Sequence, residues 1–307
     1  MAFALKDIKG SIPPIITPFK DGAVDYETYA RLIERQVSEG SHGILVTGTT
    51  AEPSTLTLEE RKTLLETTLQ AVAGRVPVVA ATGSQSHAET LELTRHADAA
   101  GADALLIVTP YYIRPPQRGL VEYYVDLAKR TERPVMIYHI PGRAAVSVTL
   151  DTLKAIKERA DNLVGMKHAV NDLTFASDMI AAFGPDWKVF VGLEEFSFPM
   201  MAVGACGLMN AVGNLLPGRV AALCEAVWAG RLEDARTIHY ELWDLNKAVF
   251  FDTNPIPMKY MMKRLGLLAD NEHRLPMMPA TPEVMKKCDA VLAAAGLLPA
   301  EGLQRTA

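Results

Sequence analysis

The sequence predicts an α/β fold, a (β/α)8 TIM barrel with a C-terminal three-helix appendage. Three observations carry that expectation. Short apolar runs alternate with helical patterns eight times. Each strand-plus-helix unit takes about 25 to 35 residues, the size such a barrel requires. The alternation then stops near residue 230, beyond which helical patterns follow one another without strands.

The predicted strands are Ile12–Thr17, Gly43–Thr47, Val76–Ala81, Ala104–Thr109, Val135–Ile140, Leu163–Lys167, Lys188–Val191 and Gly207–Ala211. Their apolar residues are continuous rather than alternating, as in strands covered on both faces. An open doubly wound sheet would carry a Gly-rich phosphate loop after its first strand, and Ile12–Phe19 has none.

Helix starts are marked between the strands. Asp25 precedes Tyr26–Glu39, whose apolar positions recur at helical spacing, and Gly40 can stop that helix. Thr57-Leu58-Glu59-Glu60 and Ser86-His87-Ala88-Glu89 both fit a capping box, in which hydroxyl and carboxylate each bond a free backbone amide. The eighth helix is expected from Pro217 to Ala229, and three more over Leu232–Phe250, Pro255–Leu265 and Pro282–Ala295. The division expected is a catalytic barrel over 1–230 and a helical region over 231–307, with a frayed tail from Pro299.

Composition narrows the function. The chain has 307 residues, 49% of them hydrophobic, so it can bury a large core. Its formal net charge is -5, and no basic cluster interleaved with aromatics appears, which argues against nucleic acid as a partner. No run of 18 uncharged apolar residues exists, so no membrane span is expected. Cys206, Cys224 and Cys288 form no C-x-x-C pair, which suits inert thiols in a reducing compartment. A cytoplasmic protein is the expectation.

Lys167 interrupts the apolar run Leu163-Val164-Gly165-Met166-Lys167-His168-Ala169. Burying an ammonium costs several kcal/mol, whereas desolvation favours a neutral, nucleophilic amine. A lysine whose head reaches water at the strand end is the plain alternative. Catalytic groups of a barrel sit at the C-terminal strand ends, and that rule selects Gly48-Thr49-Thr50-Ala51-Glu52, Pro110-Tyr111-Tyr112, Tyr138 through Arg143, and Lys167. Singly these are a turn, packing tyrosines and a surface arginine. Together they supply an amine, phenols and a hydroxyl for proton transfer, and donors for an anion. That set suits a 2-oxo acid forming an imine with Lys167.

In these segments the chain resembles the dihydrodipicolinate synthase / N-acetylneuraminate lyase family of class I aldolase-like enzymes. The matching stretches are Gly10-Ser11-Ile12 through Thr17-Pro18-Phe19, Gly48 through Glu52, Thr109 through Tyr112, Tyr138 through Arg143, Gly165-Met166-Lys167 and Asn254-Pro255-Ile256-Pro257-Met258-Lys259. Arg274-Leu275-Pro276-Met277 looks like the synthase branch. The resemblance implies a lyase of lysine biosynthesis in which Lys167 is the Schiff-base lysine for pyruvate. It implies that Tyr138 moves protons, with Thr49 and Tyr112 completing a relay, Tyr112 from a neighbouring subunit of a homodimer or homotetramer. It implies that Thr49 and Thr50 hold the keto-acid carboxylate, that Arg143 binds the second substrate or fixes the relay, and that Met209 lies beside the substrate. No cofactor is implied. No metal is expected, since the seven histidines form no H-E-x-x-H and none has ligand-like spacing with a cysteine.

Several positions depart from the synthase pattern: Ala51 for a glycine, Pro53 for a small polar residue, His139 for an asparagine, His168 for an acid, and Met209-Asn210 for small or hydroxylated residues. Ala51, His139, His168 and Asn210 are therefore the candidate specificity positions. Strand neighbours point to opposite faces, which puts His139 and His168 on the helix side. The first expectation is condensation of pyruvate with L-aspartate 4-semialdehyde. Two alternatives stand beside it: an aldolase, dehydratase or deaminase of a 2-keto-3-deoxy sugar acid or related 2-oxo acid, and a non-catalytic barrel acting as sensor or scaffold. The family's lysine-feedback positions match Pro53, Leu58, Arg61, Gln85, Glu89 and Tyr111 here. Leu58 and Arg61 replace the histidines of some inhibited members, so a lysine titration is expected to show weak inhibition; strong inhibition at sub-millimolar lysine contradicts it.

Overall fold

The computed structural model describes residues 3–298. Eight parallel strands form one curled sheet: β1 Gly10–Ser11, β2 Ile44–Val46, β3 Val78–Ala81, β4 Ala104–Val108, β5 Val135–His139, β6 Leu163–His168, β7 Lys188–Val191 and β8 Gly207–Leu208. Each strand from β2 to β8 pairs with the next, and β1 pairs with β8. The barrel closes between β1 and β2 through a bridge at Pro14 and Leu45, with Leu45 N–H donating to Pro13 O and Ile15 N–H to Leu45 O. The first strand thus lies just before the predicted Ile12–Thr17, of which only the bridge at Pro14 pairs as a strand residue. Pro13 and Pro14 have no N–H to give, so the ladder there survives only at isolated bonds.

Helices follow the strands and cover the sheet: α1 Tyr26–Ser38, α2 Leu58–Val72, α3 His87–Ala100, α4 Gln117–Ala128, α5 Leu150–Lys157, α6 Leu173–Phe183, α7 Ser197–Ala202 and α8 Pro217–Trp228. Asp25 caps α1 through Thr28 N–H. The Thr57–Glu60 box is complete. At α3 only half of the box forms: Ser86 accepts from Glu89 N–H, while the Glu89 carboxylate takes the Ser84 hydroxyl at 2.6 Å instead.

Beyond α8 come α9 Leu232–Glu241, α10 Trp243–Ala248, α11 Ile256–Arg264 and α12 Pro282–Ala294. The single helix predicted over Leu232–Phe250 is therefore two. No glycine or proline marks the break at Leu242, and hydrogen bonding continues across it from Asn246 N–H to Leu242 O. The predicted frayed tail from Pro299 lies outside the described residues.

Two apolar clusters result. One lies between sheet and helices; the other fills the barrel with Leu45, Val79, Leu106, Met136, Tyr138, Phe190 and Met209. Cys224 and Cys288 are buried and Cys206 partly so, and burial raises all three thiol pKa values. Among the described residues, no helix is long and apolar enough to cross a membrane.

Candidate active site

Register places the central pair. In the β5–β6 ladder Tyr138 stands beside Lys167, and His139 beside His168. Side chains alternate across a strand, so the first pair shares the barrel interior and the second pair the helix side. Lys167 is only 3% exposed, and its Nζ lies 4.4 Å from the centre of the Tyr138 ring. Gly192 makes room for it, because a Cβ there would come within 2.9 Å of Lys167 Cε.

Burial sets the electrostatics. Desolvation lowers the Lys167 pKa to about 8, against the opposing pull of Glu194. Tyr138 is pushed up by burial, with the Thr49 hydrogen bond and the Arg143 charge working the other way. Thr49 Oγ1 donates to the Tyr138 hydroxyl at 3.2 Å. Burial also raises Glu194, to about 7, although Ala211 N–H donates to its Oε1 at 2.6 Å. Its Oε2 has no partner.

Thr49 and Thr50 belong to a single 3-10 turn, Thr49–Ala51, directly after β2. Thr50 Oγ1 accepts from Asn254 Nδ2 at 3.0 Å. Arg143, in the helical turn Pro141–Ala144 after β5, reaches Asn254 O at 3.4 Å. A cavity of about 740 Å³ opens at this end of the barrel. Thr49, Tyr138, Arg143, Asn254 and Tyr111 line it, and Lys167 lies over the Tyr138 ring without lining it. Arg61 also lines it and donates to the carbonyls of Ala81 and Gly83.

The structure thus brings Lys167, Tyr138, Thr49, Thr50 and Arg143 together. Met209 is buried with Tyr138 and Phe190 inside the barrel. Tyr112 stands apart: it is 86% exposed, with φ 73°. That left-handed conformation is rare for a bulky side chain.

The candidate specificity positions point elsewhere. His139 and His168 stack at 5.4 Å, their Nδ1 atoms 3.3 Å apart, and both contact Phe175 of α6. Burial holds both imidazoles below their ordinary range, His139 at about 4. Asn210 donates to Ser197 Oγ at 2.6 Å, with its Oδ1 unpartnered. Ala51 is buried, and its carbonyl accepts the Thr17 hydroxyl.

Sequence reasoning assigned no role to Glu194 or Asn254. Glu194 stands three residues past the end of β7, in the loop that the strand-end rule also covers. Asn254 comes from the helical region, which that rule does not cover. Among the described residues, no group of three His, Cys, Asp or Glu side chains could hold a metal ion.

The chain is similar over nearly its whole length to proteins of one family. The 4-hydroxy-tetrahydrodipicolinate synthase of Thermus thermophilus is 46% identical over 294 residues, covering 95% of this chain and 98% of the relative. The crystal structure of dihydrodipicolinate synthase from Aquifex aeolicus superposes with a TM-score of 0.92 at 40% identity, covering 94% of this chain and 99% of that one. The chloride-inhibited dihydrodipicolinate synthase from Acinetobacter baumannii, solved in complex with pyruvate, gives 0.91 at 34% identity, covering 95% and 100%. Residues 7–295 match the profile described as the Dihydrodipicolinate synthetase family, and the chain belongs to that family.

Proposed function

We propose that this chain condenses pyruvate with L-aspartate 4-semialdehyde through an imine on Lys167, as a 4-hydroxy-tetrahydrodipicolinate synthase. The observation that carries the reading is the Lys167–Tyr138–Thr49 arrangement: a buried amine against a phenol that accepts a hydroxyl hydrogen bond. The neutral amine attacks the ketone carbon, and loss of water leaves a cationic imine. That nitrogen is an electron sink, so a proton leaves the pyruvate methyl and an enamine forms. The enamine carbon bonds to the aldehyde carbon, whose oxygen takes up a proton; the second substrate's amine then attacks the imine carbon, closing the ring and expelling the Lys167 amine. Tyr138, linked to Thr49, is the group placed to carry these protons.

The anion-binding roles fall to the cavity wall. The Thr49–Thr50 turn presents hydroxyls and amides to the keto-acid carboxylate. Arg143 offers a fork-shaped donor to the second substrate's carboxylate. Met209, buried inside the barrel with Tyr138 and Phe190, is read as the floor of the substrate site.

Of the departures from the synthase pattern, Pro53 lines the cavity, whereas the four candidate specificity positions do not. His139, His168, Asn210 and Ala51 contact protein groups away from the cavity wall. We read residues 1–230 as the catalytic barrel and 231–307 as its helical region. The exposed Tyr112 and Ile113 support a homodimer or homotetramer that buries them, and three unpaired cysteines support a cytoplasmic setting. A coupled assay tests the substrate directly. Turnover of aspartate semialdehyde with pyruvate, exceeding that of a panel of 2-keto-3-deoxy acids, is expected; the reverse ranking overturns the assignment.

A further inference from the structure

The turn that carries Thr49 and Thr50 ends on Glu52, whose backbone is left-handed at φ 57°. Its carboxylate is turned away from solvent and fully engaged. Lys259 Nζ donates to Oε1 at 2.7 Å, and His273 Nδ1 lies 2.9 Å from Oε2. Both halves of the Lys259–Glu52 pair have side chains only 1% exposed. Lys259 also donates to Glu272 O at 2.7 Å and sits 4.3 Å from the centre of the Phe19 ring. Arg274 approaches the same ring at 4.7 Å and binds Glu60 at the start of α2 with both terminal nitrogens.

A buried ion pair contributes little net stability, because desolvation of both charges offsets their attraction. What it fixes is geometry. Here the cation comes from α11, on the same short segment as Asn254, whose side chain already holds Thr50. The helical region therefore grips one catalytic turn at two points five residues apart in its own sequence, Asn254 on Thr50 and Lys259 on Glu52. Inside the turn, Glu52 N–H donates to Thr49 O, so a shift of Glu52 is passed directly to Thr49.

We propose that Glu52, Lys259 and His273 are positioning residues for the condensation, holding the Thr49–Thr50 turn so that the Thr49 hydroxyl stays on Tyr138. The helical region is then a working part of the active site. The proposal rests on the reading of Lys167 chemistry given above.

Glu52→Gln tests it, since the amide keeps the shape and loses the charge. In a folded variant kcat falls at least about tenfold and KM for pyruvate rises with it, because the turn that Glu52 holds also receives the keto-acid carboxylate, so kcat/KM falls further than kcat. Borohydride reduction still fixes pyruvate on its Lys167. Thr49→Val, costly in the parent, costs no more than about twofold further in the Glu52→Gln background, because residues acting as one unit are not additive. Should Glu52→Gln fail to fold, His273→Ala, which leaves the Lys259–Glu52 pair intact, carries the same cycle. A folded variant with parental kcat, or two costs that multiply, overturns the positioning role. A parent chain that fixes no pyruvate overturns the proposed function instead.

Discussion

The amine of Lys167 lies against the face of Tyr138, 4.4 Å from the ring centre, because the two residues are direct neighbours in the β5–β6 ladder. One register decision thus places nucleophile and proton carrier together. It also sends His139 and His168 to the other face as a pair.

Tyr138→Phe keeps the ring beside Lys167 and removes the hydroxyl that Thr49 bonds. Positioned proton transfer is worth ~10²–10⁴ in rate. The variant should lose that much in kcat while still fixing pyruvate on Lys167 after reduction. Steady-state kinetics beside mass spectrometry decides it; parental kcat would remove Tyr138 from the relay.

Lys167 is held down to about 8, chiefly by burial, and its neutral form is the nucleophile. Imine formation at low pyruvate should rise with pH through about 8 and then level. An exposed lysine would instead keep gaining until about 10.4. A rate profile without an inflection near 8 contradicts the desolvated amine.

Glu194 is raised to about 7, above its unfolded value of roughly 4.3. The folded chain therefore binds this proton more tightly than the unfolded one. That stabilising contribution is fully present below about pH 4.3 and is lost as pH rises through about 7. Glu194→Gln should accordingly gain on the order of 3 kcal/mol relative to the parent between about pH 4 and pH 8. Denaturant unfolding at the two pH values checks this; a constant difference would show that Glu194 does not titrate on folding.

Tyr112 is exposed and left-handed in the single chain, away from Tyr138. If it completes the relay of a neighbouring subunit, two inactive variants can rescue one another. Mixed and reassembled Tyr112→Phe and Lys167→Ala chains should regain activity, since one site of each mixed pair has an intact set. Mixtures no more active than their parts would confine the relay to one chain.

Much of this was legible in the sequence, for reasons that can be named. Continuous apolar runs mark doubly covered strands, and strand ends mark the catalytic rim, so Lys167, Tyr138, Thr49, Thr50 and Arg143 could be placed before any coordinates. Strand alternation likewise anticipated that His139 and His168 face the helices. What was hidden depends on long-range placement. Glu52, Lys259 and His273 meet across more than two hundred residues, and no local period links them. The failed return bond at Ser86 was hidden too, because Glu89 had a better partner in Ser84. The first strand falls at Gly10–Ser11, ahead of the predicted Ile12–Thr17, because Pro13 and Pro14 remove donors from that apolar run.

The central claim is a covalent bond between Lys167 and a 2-oxo acid, and reduction in the presence of pyruvate measures it most directly. With borohydride added, the peptide containing Lys167 should gain the mass of reductively attached pyruvate, activity should be lost in step, and Lys167→Ala should gain nothing. Unchanged mass at Lys167 in an active preparation would contradict the account.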